Sequence, residues 1–424
     1  MPEVSSRRFL MAVIDGGGTL PPALGLAREL VRRGHHVDVL ADPTGETSAR
    51  SAGCGFLPWR TAPSFSSVAE QTALIRELER GHPGRQLAAA RDRLFIGPAA
   101  AYADDVVAAV ADRHPDALLL EGAVPGILIG GIASGLPTAA LMPNIYLPPT
   151  RGMPVFGTGW LPGAGPLGRA RDAMALTVLR SLARRLGRAL EPALRAHGQQ
   201  PVDDMFGLLD RCTEVLVMTS PSFDFSSPHI PGNVHFVGPQ LDDPDWAASD
   251  DWRPDGDGPL VLVAASSVFQ DQADLLRRAS AALGRLPVRG LVTTGRAVDP
   301  AAVPAPANVR VVRAAPHGAV LRETAVVVTH AGHGTVLKTL AAGVPLVCMP
   351  MGRDQKDNTV RVLRLGAGVR VPKSAPPVRI AAAVRRLLDD PAPARAARQF
   401  ADTLAKERDT RPSAADRAEG LLSG

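Results

Sequence analysis

Six consecutive residues, His330-Ala331-Gly332-His333-Gly334-Thr335, bring imidazoles, glycines and a hydroxyl together in one turn. Gly332 and Gly334 let a ligand approach the backbone closely, and a helix that starts here presents unpaired N–H groups with partial positive charge. Thr335 adds a hydroxyl and His330 a further hydrogen-bond donor, so the turn suits a phosphate. A zinc site would need His330 and His333 as an H-x-x-H pair with Asp354 as third ligand. No Cys pair supports a closed site, and no metal is expected. A second glycine turn, Asp15-Gly16-Gly17-Gly18-Thr19, sets an acid beside a flexible backbone, and Glu121 closes another apolar run. A carboxylate at a strand end can act as a general base, or serve only as a helix cap or turn former.

The elements around these residues follow from periodicity. Residues 326–328 are β-branched and read as a buried strand. The turn follows, then a helix over 336–342, with Gly343 placed to end it. A second strand over 344–349, a polar loop over 351–358 and a helix over 359–365 complete the unit. The turn thus falls at the carboxyl end of a parallel strand, where open α/β sheets bind ligands. The N-terminal turn is framed similarly by a strand over 9–14, a helix over 23–32 led by Pro21-Pro22, and a strand over 36–41. A dinucleotide fingerprint fails there, because Gly16-Gly17-Gly18 leads into prolines and not into a spaced third glycine, so NAD is not expected.

Strands over 53–57, 117–121, 138–142 and 213–219 alternate with helices over 91–111, 126–134 and 169–197. The Pro- and Gly-rich loop 144–165 carries Tyr146, Phe156 and Trp160, and loops this long are usually functional. An acidic, proline-rich stretch over 238–259 marks a linker. Beyond it the alternation restarts with strands over 260–265, 288–293 and 309–312, a polar turn at Ser266-Ser267, a helix over 271–283 and a short helix led by Pro316-His317. Helices over 377–388 and 391–404 precede the tail. The expected fold class is α/β, with two Rossmann-like domains facing across a cleft. Their expected bounds are an N-terminal domain over 1–237, a linker over 238–259, a C-terminal domain over 260–395, and a helical tail over 396–424 free to pack back on the first domain.

At 424 residues, 45% hydrophobic and 21% charged, the chain has the composition of a soluble protein of about two domains. Its net charge is +5 and its pI ≈ 9.5. The arginines are scattered among acids and form no concentrated stripe, so nucleic acid is not an expected partner. Cys54, Cys212 and Cys348 show no paired spacing, which favours a reducing compartment, and the short apolar start gives no expectation of a signal peptide. No segment approaches about 18 uninterrupted apolar residues, so no stable membrane insertion is expected and the cytoplasm is the expected location. A homodimer is left open.

Taken together, the motifs resemble those of the bacterial natural-product glycosyltransferases of the UDP-glycosyltransferase superfamily, which have the GT-B architecture. The resemblance rests on the turn 330–335, Ala342-Gly343-Val344-Pro345 and Asp354-Gln355-Lys356-Asp357-Asn358. Weaker support comes from Pro316-His317, Ser266-Ser267, the opening glycine turn and the loop 147–157. It implies that His330, Gly332, Gly334 and Thr335 hold the diphosphate of a nucleotide-sugar donor, with His333 also on the donor side and Ser267 nearby. Asp354 and Gln355 would bind sugar hydroxyls, and Arg313, Ala314 and His317 would border the base. No cofactor and no metal are implied, and the partners are the nucleotide sugar, TDP- or UDP-linked, and a small-molecule aglycone. Gly17, Gly18, Met142, Tyr146, Phe156 and Trp160 would line the acceptor side. Trp59, Phe95, Tyr102 and Met153 are further apolar candidates.

The implied reaction is an inverting single displacement. Many relatives carry Gly-His-x-x-Pro near the N-terminus, with the histidine as base; here Gly18-Thr19-Leu20-Pro21-Pro22 puts Thr19 at that position. Asp15 is the first alternative base and Glu121 the second. An acceptor acidic enough to need little help, or a partner protein without its own catalysis, are the other readings. A nucleotide-sugar epimerase or a lipid-acceptor transferase on the same fold are alternatives for the enzyme.

Overall fold

The computed structural model describes residues 6–78, 82–243, 247, 251–266 and 269–422. Two parallel sheets organise it. The first contains β1 (Arg8–Ala12), β2 (His36–Ala41), β3 (Gly55–Pro58), β4 (Ala117–Glu121), β5 (Thr138–Met142), β6 (Glu214–Val217) and β7 (Val234–Phe236) in the order β3-β2-β1-β4-β5-β6-β7. The second contains β8 (Leu260–Ala264), β9 (Arg289–Thr293), β10 (Val309–Val312), β11 (Thr324–Thr329), β12 (Leu346–Cys348) and β13 (Gly368–Arg370) in the order β10-β9-β8-β11-β12-β13. The central strands β1, β4, β5, β8 and β11 are nearly continuous apolar runs, as strands covered on both faces by helices must be.

Both sheets reverse direction once, between β1 and β4 in the first and between β8 and β11 in the second. At such a switch point the connections diverge and leave a crevice beyond the carboxyl ends of the strands. Asp15 follows β1 and Glu121 ends β4, while Ser266 follows β8 and the turn His330–Thr335 follows β11. The chemistry-bearing residues therefore stand at the two switch points.

Several elements differ from expectation. Gln355 to Arg364 is a helix, so Asp354 and Gln355 occupy a helix N-terminus and not a loop. The short edge strands β7 and β13 went unread because three residues carry too little periodicity. The helix expected over 91–111 is broken: Arg91–Phe95 forms a π turn, and an α-helix runs only over Ala99–Arg113. A Cβ on Gly97 would stand 1.9 Å from the Asp92 carbonyl oxygen, so only glycine fits that break. The stretch Gly84–Arg113 has the length and composition of a membrane span, yet Ala99, Tyr102, Ala103 and Val106 pack into the first domain's core.

The helix Pro391–Thr410 runs through residue 395 unbroken, so no structural boundary falls there. It ends against the first domain, where Glu407 accepts hydrogen bonds from Ser220 and Ser222 (2.6 and 2.5 Å). The following helix, Ala414–Gly420, buries Ala414, Ala415 and Ala418 in the core beneath helix Leu20–Arg32. Its Asp416 and Glu419 pair with Arg33, each at 2.8 Å.

Candidate functional site

The turn after β11 is shaped by its own side chains. Ala331 adopts a left-handed φ of 68°, held by a hydrogen bond from its N–H to Thr329 Oγ1 (3.2 Å). The His330 ring packs over Gly332 so closely that a Cβ there would lie 2.5 Å from Nε2. Gly332 caps helix His333–Ala341 without any side-chain hydrogen bond, so its first-turn N–H groups are left for a ligand. A Cβ built on Gly334 meets nothing, which places open space in front of that helix start. Burial pushes the His330 imidazole down to about 4, partly opposed by Asp354 and by a hydrogen bond to Ala264, so the ring is neutral near pH 7.

The two histidines of the motif part company. His333 points Nε2 toward the carbonyl of Met218 in the first domain (3.4 Å) and Nδ1 toward Asn358 (3.5 Å), with its ring edge-on to Phe223. Both ring nitrogens thus face protein, and the side chain makes a domain contact, which leaves the backbone N–H of His333 as its means of meeting a donor. Asp354 accepts from Asn358 Nδ2 (2.7 Å). Gln355 is buried and its side-chain oxygen accepts from the N–H groups of Met351 and Gly352 (2.7 and 3.1 Å), which shapes the loop before its helix. Its carbonyl is therefore occupied by the loop, and its Nε2 lies beside Gln270 (2.7 Å). Arg313 is exposed, with its carbonyl accepting from Gly295, and Ala314 is half-buried beside it. His317 starts a short helix and is pushed down to about 4 by burial and by Lys338. Ser267 lies outside the described residues.

Across the cleft, the Asp15 carboxylate accepts from Thr44 Oγ1 (3.1 Å), the Gly17 N–H (3.3 Å) and Arg296 Nη2 (3.4 Å). Arg296 follows β9 of the other sheet, so this ion pair joins the two domains at the mouth of the cleft. Asp42 holds Asp15 from below by accepting its N–H (2.7 Å), and burial raises the Asp42 carboxyl to about 6. A small, narrow pocket opens beside Asp15 and Arg296, with Thr44, Arg28 and Asp243 among its walls. Asp243 also accepts from Lys338 Nζ (2.8 Å) and from the Gly318 N–H (2.7 Å), which fastens the linker to the second domain.

Thr19 and Glu121 come out differently from the catalytic roles weighed for them. Thr19 Oγ1 donates to the Ile14 carbonyl (2.6 Å) and accepts from the Gly16 N–H (3.1 Å), which makes it the staple of the glycine turn. Glu121 is only 1% exposed, and burial pushes its carboxyl up to about 8. It is therefore protonated near neutrality, the wrong starting form for a base.

The acceptor-side candidates also divide. Gly17, with a φ of 78°, and exposed Gly18 sit on the rim of the Asp15 turn. Met142, Tyr146 and Met153 belong to the first domain's core, as do Trp59 and Tyr102, which pack edge to face at 5.1 Å. Phe95 is only partly buried against it. Phe156 and Trp160 remain 37% exposed on the loop, with Arg171 over the Trp160 ring at 4.5 Å. The helix Gln355–Arg364 reaches this loop from the opposite domain. Asp357 accepts from the N–H groups of Gly157 (2.7 Å) and Gly159 (2.9 Å). Arg361 pairs with buried Asp224 (2.5 Å), whose other oxygen accepts the Tyr146 N–H (2.9 Å).

The sequence assigns no role to Arg296, Asp243, Lys338 and Arg361, and it marks Asp357 only as part of the motif 354–358. The signals available were thin: Lys338 is one of few lysines in an arginine-rich chain, and Asp357 and Arg361 share a helical face with Asp354 at i, i+3 and i+7.

Residues 281–422 match the family described as erythromycin biosynthesis protein CIII-like, C-terminal domain. The whole chain is similar to 4'-demethylrebeccamycin synthase of Lentzea aerocolonigenes, 32% identical over 98% of this chain and 99% of that one. It is 29% identical to the oleandomycin glycosyltransferase of Streptomyces antibioticus, over 99% of this chain and 92% of the relative. Among solved structures, the glycosyltransferase of kitacinnamycin superposes with a TM-score of 0.73 at 24% identity, covering 99% of both chains. The calicheamicin glycosyltransferase CalG4 gives 0.72 at 22%, again over 99% of both. With the two facing sheets and the open helix start, these likenesses make the chain a glycosyltransferase that belongs to the bacterial natural-product group of the UDP-glycosyltransferase superfamily, of GT-B architecture.

Proposed function

We propose that the protein transfers a sugar from a TDP- or UDP-sugar to a hydroxyl, or another weakly acidic group, of a small natural product, by one inverting displacement. The observation that carries this reading is the uncapped start of helix His333–Ala341, with open space at Gly334, facing a cleft whose other wall bears Asp15. The diphosphate lies against the first-turn N–H groups and Thr335. Asp354, at the start of the next helix, reads the sugar, and Arg313, Ala314 and His317 border the base. Asp15 takes the acceptor's proton as the acceptor atom attacks the anomeric carbon. The bond from that carbon to the diphosphate oxygen breaks, and the nucleoside diphosphate leaves with its charge held by the helix start. A related glycosyltransferase, VinC, was solved in complex with DTDP, which supports a thymidine diphosphate donor.

Thermal melting with TDP, UDP and NAD tests the donor site. Either nucleoside diphosphate is expected to raise the melting temperature while NAD leaves it unchanged; no shift with TDP or UDP overturns the reading.

A further inference from the structure

Helix Gln355–Arg364 belongs to the donor domain, yet it holds the acceptor-side loop at two places. At the loop's entrance, Arg361 grips Asp224 through Nε (3.0 Å) and Nη2 (2.5 Å), and Asp224 fixes the N–H of Tyr146. At the loop's tip, Asp357 takes the N–H groups of Gly157 and Gly159, one on each carboxylate oxygen. Asp357 is 1% exposed, so it does not act as a solvated surface acid. The fit is tight: Gly159 has a φ of 65°, and a Cβ on it would lie 2.7 Å from Lys356 Cβ. The gripped glycines adjoin Phe156 and Trp160, Gly157 directly after the one and Gly159 directly before the other, and these are two aromatic side chains that the loop leaves exposed. One turn earlier on the same helix stands Asp354.

We propose that Asp357 is a positioning residue that fixes the aromatic tip of the acceptor loop to the helix reading the donor sugar, so that acceptor and sugar share one rigid reference. This rests on the donor-site reading above. Without the clamp, the helix Gln355–Arg364 no longer fixes the loop tip, which keeps Arg171 over Trp160 and the Ser227 hydrogen bond to the Arg151 carbonyl, while the donor turn and the Arg361–Asp224 pair keep their own contacts. Acceptor recognition then weakens, and donor recognition does not.

The test uses the full-length chain with two substitutions that release the clamp from opposite sides, Asp357→Asn and Gly159→Ala. Nucleotide affinity is read by calorimetry with TDP and UDP, folding by thermal melting, and loop order by the rate of chymotrypsin cleavage after Phe156 or Trp160. Kinetics with TDP-glucose or UDP-glucose and 4-methylumbelliferone separate acceptor KM from kcat. Losing a hydrogen bond to a carboxylate corresponds to about a tenfold change, so loop cleavage and acceptor KM are each expected to rise about tenfold in both variants. Nucleotide affinity is expected to stay within about twofold, since no donor-turn contact is removed. Wild-type cleavage rates in both variants overturn the proposal. So does a loss of nucleotide affinity parallel to the loop's release, because the helix itself has then moved. Failure of TDP and UDP to bind the wild-type protein overturns the donor reading instead, and the cleavage rates still judge the clamp.

Discussion

At the scale of single residues, the site assigns different jobs to similar groups by their surroundings. Both carboxyls are buried, but Asp15 borders the pocket and accepts from three hydrogen-bond donors, one of them an arginine from the opposite domain, whereas Glu121 is held as the neutral acid. Asp15→Asn is therefore expected to lower kcat by about a hundredfold or more with nucleotide affinity unchanged, measured by turnover beside calorimetric titration. Glu121 gives a pH signature with a definite sign. Its folded value of about 8 lies above its ordinary 4.5, so across that window the native state keeps a proton that the unfolded chain has lost. Stability should fall as pH rises from 5 to 8, by on the order of 1 kcal/mol per unit at most. Glu121→Gln should flatten the decline, and melting curves at several pH values in wild type and variant decide it.

At the scale of elements, the open helix start sets up a contrast between two glycines of one turn. A methyl group at Gly334 meets no protein atom, whereas one at Gly332 collides with the His330 ring. Gly334→Ala should leave the melting temperature within a few degrees yet weaken TDP or UDP binding by about tenfold, because the methyl enters ligand space. Gly332→Ala should disturb the turn itself and lower both. Titration and melting of the pair distinguish a ligand site from a turn that merely needs glycine. The helix Gln355–Arg364 shows a second property of elements: side chains at i, i+3 and i+7 from its cap Asp354 serve the proposed sugar position, the loop tip and the domain contact in turn. Replacing Arg361 by Met leaves Asp224 buried and unpaired, and the expected cost is about 3–5 kcal/mol, read by chemical denaturation.

At the scale of the whole molecule, the two domains are joined by more than the linker. The chain's final helices cross back, Asp243 ties the linker to Lys338, and His333 meets Met218. Ala418 is fully buried beneath helix Leu20–Arg32, so Ala418→Glu should force a carboxylate into the first domain's core and lower its melting temperature markedly. Loss of only the second domain's transition would contradict that placement. Much of the architecture was legible because it is written locally. The apolar runs at β1, β4, β8 and β11, the glycines that follow them and the prolines that open helices are properties of short windows, and they fix a strand–turn–helix alternation with its turns at the sheet edge. The turn 330–335 was legible for the same reason, whereas the helix that starts at Gln355 reads locally as a loop. Tertiary structure alone decided which of two adjacent histidines faces the other domain, that Thr19 closes its own turn, that Glu121 stays protonated and that Tyr146 lies in the core. It alone brought Arg296 to Asp15 and Asp357 to the loop tip, pairs separated by 281 and about 200 residues. Periodicity reports which face of an element is apolar. A carboxylate's charge state and partners depend on what the other domain places against it, and no local window of sequence carries that.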